Sequence, residues 1–261
     1  MRIHVPDADR TRARPALVIL RGGGYSRNDG SGAGSASWAV RHGMIAVEVG
    51  YSTQATRSVH PAAYCDAARA VRLVRYHAHD WGIDPARVGV LGFSAGGHLA
   101  SLLSTQPALV MSPEDDLADT LPARPDLVVL AYPVISFVDG YDSGAFGGTV
   151  ENLFGRGDVD EATRRELSSE LHVAPGHPPV FLWTTTDDEI VPASHSQLFA
   201  AACRRAGVPI AFTLYPHGPH AMGLALGQPG DVGQWTTQLL TWLAQYWGPA
   251  IEVSRPPAAV P

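Results

Sequence analysis

The 261-residue chain contains no lysine, and all nineteen of its basic residues are arginines. A Schiff-base lysine, a Walker-type phosphate contact and a Ser-Lys dyad are thereby excluded. Cysteine is scarce as well: Cys65 and Cys203 lie far apart and supply neither a disulfide framework nor zinc-ligand spacing. Both thiols are expected to be free. No apolar stretch approaches the roughly 20 residues needed to cross a bilayer, and the opening run MRIHVPDADRTRARP lacks the apolar segment of a secretory signal. The expectation is a cytoplasmic protein with no membrane contact. Positive charge is not in excess either, since the formal net charge is −6. The single basic cluster, Arg2, Arg10, Arg12 and Arg14, has no interleaved aromatics, which argues against a nucleic-acid partner. It reads as a solvated arm.

What is present is a globular composition, 45% hydrophobic and 17% charged, at a length suited to one α/β domain spanning 1–261. Short apolar runs alternate with longer segments of helical period, the pattern of a mostly parallel sheet covered by helices on both faces. The runs are ALVIL (16–20), MIAVEV (44–49), RVGVLGF (87–93), DLVVLAY (126–132), PVFLWT (179–184) and IAFTLYP (210–216). They predict six strands. Helices are expected over 61–81, with Pro61 in the first turn and Gly82 as the stop, and over 95–104, 193–206 and 232–247. The alternation is interrupted longest over 136–177, roughly forty residues where two to six is usual. Phe137, Tyr141, Phe146, Leu153 and Phe154 are too apolar for a solvated loop, so this insertion is expected to form a lid or cap. The final stretch, 249–261, is expected to be a disordered tail.

Gly92-Phe93-Ser94-Ala95-Gly96 has the form Gly-x-Ser-x-Gly, which chance produces in on the order of a tenth of chains this long. Its setting is more specific. It follows an apolar strand and opens an amphipathic helix carrying His98, Leu99, Leu102 and Leu103, the strand-to-helix turn that a nucleophilic serine requires. At Gly92 or Gly96 a side chain would collide with a neighbouring strand or helix, while the helix N-terminus favours developing negative charge. The plainer alternative is a serine that merely caps the helix.

A serine hydroxyl needs a base, and an acid and a histidine should follow in that order. Asp187 and Asp188 stand just past the PVFLWT run. Asp188 is preferred because the following Glu-Ile-Val-Pro is expected to restart a helix and fix the loop, whereas Asp187 suits a turn. His220 and His217 follow IAFTLYP, and His220 has the longer loop with which to reach the serine. The other nine histidines, His77 and His79 among them, show no metal-binding spacing. His98, four residues after Ser94, lies on a similar helix face and is read as structural. Donors for an oxyanion are expected from the Ala95 amide and from Gly22-Gly23-Gly24 after the first strong strand. That glycine run does not complete a nucleotide-binding loop, because Arg27 stands where the pattern needs glycine. Gly30, Gly32 and Gly34 read as a flexible loop.

Taken in order, RGGGYS, WGIDPARVGVLGFSAGGHLA, ENLFG, HVAPGHPPVFLW, TDDEIVP, LFAAACRRAGVP and YPHGPHAMGLA resemble the α/β-hydrolases of the acetyl-esterase and xylan-esterase-like type, relatives of the hormone-sensitive-lipase-like carboxylesterases. The resemblance runs over nearly the whole chain. It implies an α/β-hydrolase fold, a triad of Ser94, Asp188 and His220, and an oxyanion hole from the amides of Gly23, Gly24 and Ala95. Three departures accompany it: Arg21 stands where the family usually has proline, Thr184 replaces a common histidine, and the N-terminal edge strands look reduced.

The activity so implied is hydrolysis of small acyl esters of sugars or other polar alcohols through an acyl-enzyme, with no metal or organic cofactor. Activity is expected to fall in acid as the base protonates. Two alternatives remain open at this stage. An acyltransferase or cyclase would pass the same acyl group to an acceptor other than water, and a non-catalytic binding protein would keep only the fold. A homo-oligomer is compatible with the sequence.

Overall fold

In the computed structural model, which describes residues 1–6, 12–28, 32–109, 116–138 and 148–253, each of the six apolar runs forms a strand and a seventh precedes them. The strands are β1 (Arg2–His4), β2 (Arg14–Leu20), β3 (Ile45–Val49), β4 (Ile83–Phe93), β5 (Leu127–Ala131), β6 (Val180–Thr185) and β7 (Ile210–Tyr215). They form one sheet in the order β1-β3-β2-β4-β5-β6-β7. All neighbours are parallel except β1, which runs antiparallel to β3 at the edge. Among the described residues the N-terminal edge is the three-residue β1, whose single apolar residue, Ile3, is too little for periodicity to register.

Alternation along the strands builds two cores. On β2, Ala16, Val18 and Leu20 face one side while Leu17 and Ile19 face the other. The first side is covered by α2 (Ala62–Tyr76), α4 (Ala95–Thr105) and α7 (Ser194–Arg205), the second by α1 (Ser35–Arg41) and α8 (Trp235–Trp247). On the second side Trp183 of β6 stacks on Trp235 of α8, with ring centroids 5.1 Å apart. Burying side chains of this size contributes about 1.5–3 kcal/mol each.

Several sequence expectations need correction. The helix over 61–81 breaks at His77, and a short α3 (Ala78–Trp81) follows; His77 stacks on Trp81 at 4.7 Å, an aromatic contact that periodicity does not register. The segment 189–192 is a turn, and α7 starts only at Ser194. Helix α8 is preceded by a 3-10 turn, Asp231–Gln234. Arg2 and Arg14 do not lie in a solvated arm: Arg2 pairs with Glu48 in the sheet register, and Arg14 donates to the Gly43 carbonyl at 3.1 Å. Arg12 is exposed, and Arg10 is outside the described residues. The tail expectation fails for 249–253, because Ile251 is buried and the backbone of Glu252 bonds His42 in both directions. Residues 254–261 are outside the described residues.

Gly32 and Gly34 are not a loose loop either. A Cβ on Gly32 would lie 2.6 Å from the Phe93 ring, and both residues have positive φ, so they shape the entry to α1. Gly30 is outside the described residues. In the insertion, Tyr141 and Phe146 are likewise outside them. The described part carries α5 (Thr149–Phe154) and α6 (Glu161–Glu166), with Phe137 fully buried against His98.

From β2 the chain crosses by α1 to β3 on one side, then returns by α2 to β4 on the other. The strand order therefore reverses at β2, and a crevice opens there at the carboxyl ends of β2 and β4. Leu20 pairs with Gly92 in the register, which sets the 21–25 loop beside Ser94.

Candidate active site

Ser94 joins β4 to α4 with φ 52° and ψ −120°, a left-handed conformation that costs a non-glycine residue on the order of 1–3 kcal/mol. The surrounding backbone holds it there. The Ser94 amide donates to Ala131 of β5 at 3.0 Å, and its carbonyl accepts the amides of His98 at 3.1 Å and Val134 at 3.2 Å. The glycines act as sequence reasoning required. A Cβ on Gly92 would stand 2.3 Å from the Gly96 carbonyl oxygen, and one on Gly96 would stand 2.3 Å from that of Leu20. Ser94 occupies the N-cap position of α4, but its side chain makes no capping bond.

Its hydroxyl instead meets His220. The Nε2 atom lies 2.8 Å from Ser94 Oγ, and Nδ1 lies 2.7 Å from Asp188 Oδ2. The side chains of His220 and Asp188 are 4% and 0% exposed, so water does not compete for the pair. Asp188 Oδ1 accepts the amides of Ile190 and Val191, each at 2.9 Å. Rather than restarting a helix, the residues after Asp188 wrap around its carboxylate. Asp187 takes the turn role: it accepts the Gly218 amide at 2.8 Å and faces His217 Nδ1 at 3.2 Å, with His217 exposed to solvent.

Two supports of the His220 loop were not visible in the sequence. Tyr132, itself at φ 38°, sets its ring edge-on to the His220 imidazole at 4.9 Å and accepts the Gly223 amide at 2.9 Å. Thr185 donates to the Gly218 carbonyl at 2.7 Å. Both are strand-end residues whose partners lie far along the chain, and no local pattern marks them.

Across the crevice, Gly23, Gly24 and Tyr25 follow one another at φ 121°, 56° and 59°. The amides of Gly23 and Gly24 donate to no acceptor among the described residues. Tyr25 is fully buried and bonds His98 Nδ1 at 2.6 Å, while His98 Nε2 lies 2.7 Å from the Leu167 carbonyl. A carbonyl only accepts, so Nε2 carries the proton, Nδ1 is the acceptor, and the Tyr25 hydroxyl donates. Burial lowers the His98 pKa to about 4, keeping the imidazole neutral, and burial raises that of Tyr25 well above its usual value. His98 is structural, as its position suggested.

Arg21 points to the sheet edge. It donates to Glu48 Oε1 at 2.5 Å, while His4 meets Glu48 Oε2 at 2.7 Å. Burial alone would raise the Glu48 pKa, but the hydrogen bonds from Arg21 and His4 outweigh it and lower the value. Thr184 is buried on β6. On the other flank of His220 an open cleft of about 430 Å³ is lined by Asp187, Glu189, Ile190, Gly218 and Pro219. Among the described residues, no helix is long and apolar enough to cross a membrane.

The array of hydroxyl, imidazole and carboxylate has the connectivity needed to move a proton from oxygen to nitrogen. Known proteins share the frame. The chain is 34% identical to endo-1,4-beta-xylanase B of Butyrivibrio fibrisolvens over 81% of its own length and 33% of that protein's. It is 31% identical to the acetylxylan esterase of Xylanibacter ruminicola over 80% of its length and 41% of that protein's, so it spans less than half of either of these curated relatives. Among solved structures, the acetyl ester-xyloside bifunctional hydrolase of Caldicellulosiruptor lactoaceticus superposes with a TM-score of 0.85 at 36% identity, covering 94% of this chain and 88% of that one. The BD-FAE family model matches residues 1–203. The chain has the α/β-hydrolase fold and belongs to the BD-FAE family.

Proposed function

We propose that the protein is a serine esterase that hydrolyses small acyl esters, acetyl esters above all, of sugars or other polar alcohols. The observation that carries the proposal is the buried, continuous hydrogen-bonded chain from Asp188 through His220 to Ser94 at a strained strand-to-helix turn. In the proposed reaction Ser94 Oγ attacks the acyl carbonyl carbon as His220 Nε2 takes its proton. Asp188 holds the imidazole tautomer and stabilises the imidazolium. The carbonyl electron pair becomes an oxyanion, received by the amides of Ala95, Gly23 and Gly24, each donor worth roughly 2.7–4 kcal/mol in the transition state. Collapse breaks the ester C–O bond, and His220 returns the proton to the departing alcohol. Water, activated by the same imidazole, then releases the acid from Ser94.

The alcohol is assigned to the open cleft beside His220. Its rim carries Asp187 and Glu189, which accept hydrogen bonds from hydroxyls and repel an anionic leaving group. The acetyl preference draws on the names of the Xylanibacter and Caldicellulosiruptor relatives. The test is a series of p-nitrophenyl esters of increasing acyl length with wild type and Ser94→Ala, alongside acetylated xylose. The expected result is acetyl over octanoyl by about tenfold or more in kcat/KM, with no activity from Ser94→Ala. Equal rates for the two proteins would remove the proposal, and an octanoyl preference would remove the small-acyl part. Adding glycerol as a competing acceptor separates hydrolysis from acyl transfer by the products formed.

A further inference from the structure

The insertion was expected to act as a lid, yet its described part is fastened to the glycine loop in two independent places. Asn152 of α5 donates from Nδ2 to the Gly24 carbonyl at 2.9 Å. The Leu167 carbonyl, just after α6, accepts the His98 Nε2 proton, and His98 Nδ1 accepts the Tyr25 hydroxyl. One tie thus grips Gly24 directly and the other grips the next residue through the α4 helix that Ser94 begins. Between them lie three successive positive-φ residues, Gly23, Gly24 and Tyr25, a conformation that the chain does not hold by local preference.

We propose that Asn152 is a positioning residue: by holding the Gly24 carbonyl it fixes the Gly24–Tyr25 peptide and with it the backbone turn at Gly24, which orients the preceding peptides so that the Gly23 and Gly24 amides meet the oxyanion and makes the insertion a structural part of the oxyanion site. This rests on the esterase reading given above. The geometry supports it in three ways. Gly24 is buried, so its carbonyl loses a partner that water does not replace when Asn152 is removed. The rest of the loop is already tied, with Gln54 and Ala55 amides donating to the Tyr25 and Ser26 carbonyls at 2.9 Å, Tyr51 donating to the Arg21 carbonyl at 2.7 Å, and the Ser26 amide and hydroxyl donating to the Gly23 carbonyl at 3.0 and 2.8 Å. Asn152 holds the Gly24–Tyr25 peptide, the neighbour of the Gly23–Gly24 peptide that bears the Gly24 amide. Asn152 itself stands in the middle of α5, whose neighbours Val150 and Leu153 are buried, so the helix is seated by its own packing.

The test compares wild type with Asn152→Leu, which keeps the size and removes the donor, and with Asn152→Ala. Each is assayed for steady-state hydrolysis of p-nitrophenyl acetate, for inhibition by a trifluoromethyl ketone and for melting temperature. The ketone adds Ser94 Oγ to its carbonyl carbon, passes the serine proton to His220 and leaves an oxyanion in the site, so its affinity reads oxyanion stabilisation. The expected result is a kcat lowered about 10- to 100-fold with KM changed less than about threefold. Ketone affinity is expected to fall in parallel with kcat/KM. A melting temperature within about 5 °C of wild type shows an intact fold, since one lost hydrogen bond shifts a chain of this size by only a few degrees. If Asn152→Leu does not fold, Asn152→Ala carries the comparison. Unchanged kcat, or a lowered kcat with unchanged ketone affinity, overturns the proposal while wild-type activity leaves the esterase reading standing. Absence of wild-type activity on any ester, with Ser94→Ala identical, overturns the esterase reading and this inference with it.

Discussion

His220 and Asp188 form a 2.7 Å hydrogen bond in which neither side chain is more than 4% exposed, although 32 residues separate them. The adjacent Asp187 is exposed and bonds the Gly218 amide instead. Two neighbouring carboxylates thus hold the same loop, one at its imidazole and one at its backbone. Asp188→Asn is expected to lower kcat about 10⁴-fold by disturbing the imidazole tautomer. Asp187→Asn keeps an acceptor for Gly218 and is expected to cost less than about tenfold, since only an exposed pair is lost. Steady-state kinetics on one acetyl ester decides the matter, and the reverse order would reassign the acid.

The elbow glycines give a stability prediction. A Cβ on Gly96 would meet the backbone oxygens of Leu20 and Arg21 at 2.3 and 2.4 Å, and a β-strand in mid-sheet has little room to yield. Gly96→Ala is expected to destabilise the protein by roughly 3 kcal/mol or more. Gly207→Ala meets no atom within 4 Å but sits at φ +69°, and is expected to cost only about 1–2 kcal/mol. Urea titration of both variants checks the ranking. Equal losses would mean that conformation, not the close approach, sets the cost.

Tyr25→Phe removes one oxygen and leaves His98 Nδ1 buried without its donor. The expected cost is about 1–3 kcal/mol in stability, with a lower kcat because Tyr25 belongs to the glycine loop. A variant with wild-type stability would contradict the donor role given to the Tyr25 hydroxyl.

Burial lowers the imidazoles of His98 and His177 to about 4, whereas an unfolded histidine titrates near about 6.5. In that interval the unfolded chain binds protons that the folded chain refuses, so stability is greatest above about pH 6.5 and falls as pH drops toward about 4. The two sites set a slope of at most about 2.7 kcal/mol per pH unit. Glu170 acts in the opposite sense, because burial pushes its carboxyl up and the folded chain then holds a proton that the unfolded one releases. The expected result is a urea midpoint that declines through this interval, with a slope shallower by about one proton in His177→Asn. Parallel curves for the two proteins would contradict the assignment.

These contrasts show where the sequence was legible. Five of the six apolar runs became strands that bury residues on both faces, as Leu17 and Val18 do on β2, while β7 at the sheet edge fully buries only Tyr215. β1 was not legible, since a three-residue edge strand with one apolar side chain carries no period. The elbow at Ser94 and the two aspartates could be read because glycine spacing and strand ends are local features. Asn152 and Tyr132 could not: their bonds reach Gly24 and Gly223, 128 and 91 residues away, and only the folded chain brings those pairs together.

The central claim is that Ser94 is the nucleophile, and covalent trapping tests it most directly. Wild-type protein and Ser94→Ala are treated with phenylmethylsulfonyl fluoride, which transfers its sulfonyl group to an activated serine with loss of fluoride. Peptide mass mapping then locates the adduct. The account predicts one sulfonyl group per chain on the peptide containing Ser94, complete loss of esterase activity in step with labelling, and no labelling of Ser94→Ala. An adduct on another residue, or a Ser94→Ala protein that still hydrolyses acetyl esters at the wild-type rate, would contradict it.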